Sequence, residues 1–167
     1  MRVHHEFGPI FDEHSKVLVL GTIPSVKSRE GHFYYHHPRN RFWQVTAAVA
    51  GMPVPETIPE KRAMLLAAHI AVYDVVESCE IDGSADATIR DVEPVDLSPI
   101  LARADIAAIF ANGAKAKALY DRYLLRETGR QIVRLPSTSP ANAAWSLAQL
   151  CAVWKESIAP YLGERKG

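Results

Sequence analysis

Between residues 21 and 41 the chain carries Lys27, Arg29, Arg39 and Arg41 with a single acid, Glu30, interleaved with Phe33, Tyr34, Tyr35 and the histidines His32, His36 and His37. Ammonium and guanidinium groups bind backbone phosphates, and aromatic faces stack on unpaired bases, so this mixture suits contact with a nucleic acid. A loop whose rings complete the core would have the same composition. Ligands of open parallel sheets bind beyond the carboxyl ends of the strands. The residues predicted at those ends are Gly21-Thr22-Ile23-Pro24-Ser25, Asp74, Asn112-Gly113 and Pro136-Ser137-Thr138-Ser139-Pro140. They are expected to converge on one crevice that offers amides, hydroxyls and a carboxylate but no carboxylate pair.

Several common chemistries lack their residues. The sequence has no phosphate-binding Walker loop, no dinucleotide fingerprint and no Gly-flanked nucleophilic serine, and the Ser139-Pro140 turn has no partner histidine. Lys27 reads as a phosphate contact rather than a Schiff-base nucleophile. His36 and His37 are adjacent, no Cys lies near them, and no carboxylate stands at a helical offset, so neither a metal site nor a cofactor is expected. Hydrolysis by water fits better.

The elements that must position these residues alternate. Val17-Leu18-Val19-Leu20 predicts a buried strand over 17–20 that ends at Gly21. The long connection over 21–40 is of the length that carries function. Asn40 is placed to cap a helix over 41–50, with Phe42, Val45, Ala48 and Val49 at helical spacing and Gly51 behind it. Thr57 and Glu60 have capping-box spacing, predicting a helix over 58–68, and a second strand follows over 71–76. Residues 77–96 set seven acids against Arg90 and read as solvated connection. Ser98-Pro99 opens a short helix to 104, strands are predicted over 106–111 and 132–135, and a helix over 114–127 separates them. A last helix has the stripe Leu147, Cys151, Trp154 and Ile158, and Asn142 is available to cap it. The alternation predicts a three-layer α/β/α fold with a central four-stranded parallel sheet.

With 167 residues, 48% hydrophobic and 23% charged, the chain is expected to form one domain over 1–167, and fibrous and disordered classes are excluded. Nineteen Lys plus Arg balance nineteen Asp plus Glu, so any contact with a polyanion must come from local clustering. Cys79 and Cys151 have no metal-like spacing and read as reduced core residues. Neither a signal peptide nor an apolar run of membrane-spanning length is visible, which predicts a cytoplasmic protein, and a monomer is expected.

Gly21-Thr22-Ile23-Pro24-Ser25 followed by Phe33-Tyr34-Tyr35-His36-His37-Pro38-Arg39-Asn40-Arg41-Phe42-Trp43 resembles the uracil-DNA glycosylase superfamily, and within it the hypoxanthine-DNA (deoxyinosine) glycosylase family most closely. The mismatch-specific branch has a similar loop of equal length, beginning Gly-x-Asn-Pro-Gly and ending His-Pro-x-Asn-Arg-Phe-Trp. Agreement at Asn40-Arg41-Phe42-Trp43 is therefore specific. A weaker resemblance runs through the Asp74 strand, the Gly83-Ser84-x-Asp86 turn, Asn112-Gly113 and the Pro136-Ser137 loop.

This resemblance implies a monofunctional DNA glycosylase acting on duplex DNA with a damaged base, preferably hypoxanthine. The alternatives are a uracil or mismatch-specific glycosylase and a non-catalytic nucleic-acid-binding α/β domain. Where the mismatch-specific branch has its water-activating asparagine this sequence has Ile23, which cannot orient water. In the hypoxanthine family the asparagine of the His-Pro-Arg-Asn element does that work, which implies Asn40 as the catalytic residue. The implied base pocket comprises Gly21, Thr22, Ile23, Pro24, Tyr35 as the stacking ring, Asp74 as the reader of an imide-like N–H, and Asn112. The implied DNA contacts are Ser25, Lys27, Arg39, Ser137, Thr138 and Ser139, with 138–142 entering the minor groove. The histidine that usually precedes the Pro-Ser element is Leu135 here.

Overall fold

The computed structural model describes residues 1–83 and 85–163, so Ser84 of the Gly83-Ser84-x-Asp86 turn lies outside the described residues. The chain runs β1 (Arg2–His4), β2 (Val17–Gly21), α1 (Val26–Gly31), α2 (Phe42–Ala50), α3 (Ile58–Ala67), β3 (Ile70–Asp74), β4 (Val76–Glu80) and β5 (Arg90–Pro94). It continues with α4 (Ser98–Arg103), β6 (Ala108–Asn112), α5 (Ala114–Tyr123), α6 (Leu125–Thr128), β7 (Ile132–Leu135) and α7 (Leu147–Ile158).

Four strands form the expected parallel sheet in the order β3-β2-β6-β7. Side chains alternate across a strand. Val17 and Val19 therefore join the core built with Phe42, Trp43, Leu65, Leu150 and Trp154, while Leu18 and Leu20 join Ile100, Leu119 and Tyr120 on the opposite face. Every residue of β2 is buried, as a central strand covered on both sides requires. Gly21 pairs with Asp74 and Asn112 with Leu135, so the strand ends finish level with one another. Ile10 covers the outer edge of β3 through paired 2.9 Å backbone bonds with Val72, which protects it from stray pairing.

The stretch over 77–96 is not solvated connection. It contributes β4 and β5 to an antiparallel sheet of order β1-β4-β5, in which Val3 pairs with Cys79 and Ser78 with Glu93. Glu77, Asp91 and Glu93 are exposed, while Val76, Ser78 and Cys79 are buried. The loop over 21–40 likewise contains a helix, α1, whose start is capped by the Ser25 hydroxyl accepting the Ser28 N–H. The predicted helix over 114–127 breaks at Leu124 into α5 and α6. In α7 the buried stripe is Leu150, Trp154 and Ile158 rather than one through Leu147 and Cys151. Its cap is a Ser146–Gln149 capping box rather than Asn142. Among the described residues no helix is long and apolar enough to cross a membrane.

Candidate active site

The level strand ends open into a cleft of about 470 Å³ that brings together Gly21, Asp74, Asn112 and the Ser137–Ala141 segment beneath the loop over 21–40. Its floor is closely packed. A Cβ built on Gly21 would stand 2.5 Å from Asp74 Oδ1 and 2.9 Å from Tyr35 Oη, so only glycine lets the carboxylate and the phenol approach the end of β2.

The cleft wall is made by the Asn-Arg-Phe-Trp element. Phe42 stacks under Tyr35 at 3.9 Å and 19°, and Trp43 Nε1 donates to the Tyr35 carbonyl at 3.1 Å. These two contacts hold Tyr35 in the left-handed backbone region, at φ 49°, a conformation that needs such support. Arg41 faces the other way. Its guanidinium donates to the carbonyls of Trp145, Ser139 and Asn142, and its backbone N–H donates to the Thr138 carbonyl. It is therefore a clamp between two loops rather than a phosphate contact.

Asn40 is held on one side of its carboxamide. Oδ1 accepts from the Phe42 N–H and from the Thr138 hydroxyl, both at 2.9 Å, which uses both carbonyl lone pairs and fixes which end of the amide is oxygen. Thr138 is wholly buried and continues the chain. Its hydroxyl accepts from Asn112 Nδ2 at 3.0 Å and its N–H donates to Asn112 Oδ1 at 3.0 Å. The expected Thr138 contact to DNA is thus corrected, because this side chain joins the two asparagines and is not accessible to a phosphate.

Burial sets the electrostatics. The Tyr35 phenol is pushed well above its usual range, first by burial and then by the Asp74 charge, with Asn112 opposing the shift. Tyr73, beside the same carboxylate, is pushed up to about 12 by burial, then by Glu77 and Asp74. Asp86 also lines the cleft and accepts from the Thr22 hydroxyl at 3.4 Å. Burial raises its carboxyl above the ordinary carboxylate range.

Gly21, Thr22, Ile23, Pro24, Ser25, Lys27, Tyr35, Asn40, Asp74, Asn112, Ser137, Thr138 and Ser139 all line this one cleft. Arg39 is exposed outside the lining, and Lys27 is exposed at the rim beside Glu30 at 3.5 Å. The Ser25 hydroxyl is committed to capping α1, and the Ser137 and Ser139 hydroxyls accept the N–H groups of Ser139 and Ala141 within their own turn. Asp86, Tyr34 and His37 were not foreseen in the cleft. His5 was not foreseen either; it stands behind Asp74 with Nε2 2.7 Å from Oδ2. Among the described residues no group of three His, Cys, Asp or Glu could hold a metal ion.

The parallel sheet, covered by helices on both faces, thus carries at its carboxyl edge a cleft with a braced carboxamide, a supported ring and a buried carboxylate. The sequence model of the uracil DNA glycosylase superfamily matches residues 9–157, and the chain belongs to that superfamily. Relatives named hypoxanthine DNA glycosylase occur in Methanosarcina acetivorans, 33% identical over 142 residues covering 84% of this chain and 89% of that one, and in Methanosarcina barkeri, 30% identical over 154 residues covering 91% and 96%. A solution NMR structure from Methanosarcina acetivorans, described as a candidate uracil DNA glycosylase, superposes with a TM-score of 0.75 at 31% identity and covers 90% of this chain and 95% of that one.

Proposed function

We propose that the protein is a monofunctional DNA glycosylase that removes a deaminated base, hypoxanthine by preference, from duplex DNA. It acts as one domain and as a monomer in the cytoplasm. The observation that carries the reading is the Asn40 carboxamide, pinned through its oxygen by Phe42 and Thr138 inside a cleft floored by Asp74. The relatives' names support hypoxanthine as the base.

The target nucleotide leaves the helix and enters the cleft. Tyr35, braced on Phe42, stacks on it, and Asp74 Oδ1 accepts the N1–H of hypoxanthine. With both Oδ1 lone pairs occupied, the Asn40 Nδ2 group holds the water oxygen and leaves a lone pair aimed at the sugar carbon. The water oxygen bonds to C1′ as the C1′–N9 bond breaks. The electron pair departs on the base, and the proton lost by the water passes through solvent to that base, which leaves as neutral hypoxanthine while the hydroxyl stays on C1′. Backbone amides at the start of the loop stabilise the charge gathering on the leaving base, so no strong general base is needed. Lys27 and Arg39 hold flanking phosphates, and the small exposed residues Pro140 and Ala141 approach the minor groove.

Base release is measured from matched duplexes carrying one hypoxanthine, uracil or xanthine. Fastest release of hypoxanthine is expected. Faster release of uracil would reject the substrate assignment while keeping the reaction, and retained binding without release from any duplex would identify a binding module instead.

A further inference from the structure

His5 follows β1 and anchors its backbone by donating its N–H to the Glu77 carbonyl at 2.7 Å. Its ring is wedged among Phe7, Tyr73 and Tyr34, with centroids 4.9, 5.0 and 5.7 Å away, and its side chain is 1% exposed. The only polar contact of the ring is Nε2 to Asp74 Oδ2 at 2.7 Å; Nδ1 has no partner among the described residues. A buried imidazole that forgoes one hydrogen bond in order to direct the other at a carboxylate is costly to keep for packing alone.

Asp74 has two oxygens with different surroundings. Oδ2 is taken by His5, whereas Oδ1 lies against Gly21 at the floor of the cleft. With His5 assigned the tautomer that carries its proton on Nε2, that N–H donates to Oδ2 and fixes the plane of the carboxylate, leaving Oδ1 to accept. The cleft therefore presents a single, oriented acceptor at its floor. Hypoxanthine offers an N–H at N1 where adenine, the normal base from which it arises, offers a lone pair. An acceptor fixed at that point attracts the first and repels the second.

We propose that His5 is a positioning residue that orients Asp74 as an acceptor for the flipped base and thereby sets the selection of an N1–H purine over an N1 lone-pair purine. The inference rests on the reading that Asp74 meets the base. His5 acts through Asp74, from the far side of the sheet edge, and does not touch the substrate itself.

The test compares single-turnover release of hypoxanthine with that of unsubstituted purine, which has the N1 lone pair, by the wild type and by H5F, H5Q and D74A, with thermal midpoints recorded for each. Phenylalanine keeps the ring contacts and removes the donor, while glutamine places an amide N–H where Nε2 stands. H5F is expected to lower the hypoxanthine-to-purine ratio by about tenfold or more, as loss of an aligned hydrogen bond does, with D74A doing the same and H5Q staying within about threefold of wild type. If D74A loses the ratio and a folded H5F keeps it, His5 only packs and the inference is overturned while the Asp74 reading stands. If D74A keeps the ratio, the Asp74 reading fails and the inference falls with it. Should H5F not fold, H5N replaces it, since asparagine is one methylene too short to reach Oδ2; a ratio equal to that of H5Q would overturn the inference.

Discussion

Thr138→Val removes one hydroxyl from the chain that links Asn112 to Asn40 and changes little else, because valine has nearly the shape of threonine and the site is wholly buried. Two hydrogen bonds disappear, from Asn112 Nδ2 at 3.0 Å and to Asn40 Oδ1 at 2.9 Å. Each is worth about 1 kcal/mol net, and Asn112, half-buried at the cleft, recovers part of its loss through water, so the destabilisation is about 1–3 kcal/mol. At roughly 2–4 °C per kcal/mol for a chain of this length, the thermal midpoint falls by about 2–12 °C. The catalytic effect is separate. Asn40 keeps the Phe42 N–H but is free to turn about it, and a misplaced group costs on the order of 10- to 100-fold in the chemical step. The assay is single-turnover base release at saturating enzyme, beside thermal melting followed by circular dichroism. Thr138→Ser is the control: it keeps the hydroxyl, holds the rate near wild type and loses about 1 kcal/mol for the missing methyl. A Thr138→Val protein that melts lower yet releases base within about twofold of wild type would refute the link between this hydroxyl and the carboxamide.

Gly21→Ala puts a methyl 2.5 Å from Oδ1 of a carboxylate whose other oxygen His5 holds in place, so Asp74 cannot simply move aside. Stability is expected to fall by about 1–3 kcal/mol from overpacking, and base release by about 100-fold, as read by melting and by single-turnover rates. Lys27→Ala and Arg39→Ala are each expected to weaken duplex binding and to reduce the slope of log affinity against log salt by about one unit, measured by fluorescence anisotropy. Asp86→Asn tests that raised carboxyl. A carboxyl raised in the folded state opposes folding once it ionises, so the variant melts higher than wild type near neutral pH. The gain shrinks as pH falls and vanishes below the unfolded value of about 3.9, which melting curves across that range would show.

Much of the fold was legible because the parallel strands are short apolar runs punctuated by Gly21, Asn112-Gly113 and Pro136, and these signals are local. The antiparallel sheet was not. Its strands β4 and β5 carry Glu77, Glu80, Asp91 and Glu93, and β1, which completes the sheet, lies more than seventy positions earlier in the chain. The phase of α7 departs from the stripe that starts at Leu147 because Leu147 sits at the open start of the helix, 38% exposed, while Leu150 takes the core position. Within the site, Asp74 is marked by its place at a strand end, whereas Asn40 reads by position only as a helix cap and is marked as catalytic by the family resemblance. Their partners are not marked: Thr138 is 98 positions from Asn40 and His5 is 69 from Asp74, and the level strand ends bring each pair together only after folding. The same hydroxyl-rich turn suggested DNA contacts for Thr138, whose burial follows from the Arg41 clamp over residues 139–145.

The most direct measurement is the single-turnover release of free hypoxanthine from a duplex by wild type and by Asn40→Ala, with the affinity of each for the same duplex determined in parallel. Wild type is predicted to leave an abasic site. The variant is predicted to bind within about threefold of wild type but to release base at least about 100-fold more slowly, the loss expected when a positioned amide at the reacting centre is removed. Equal rates from the two proteins would show that Asn40 serves only as the cap and brace of α2, and would contradict the mechanism.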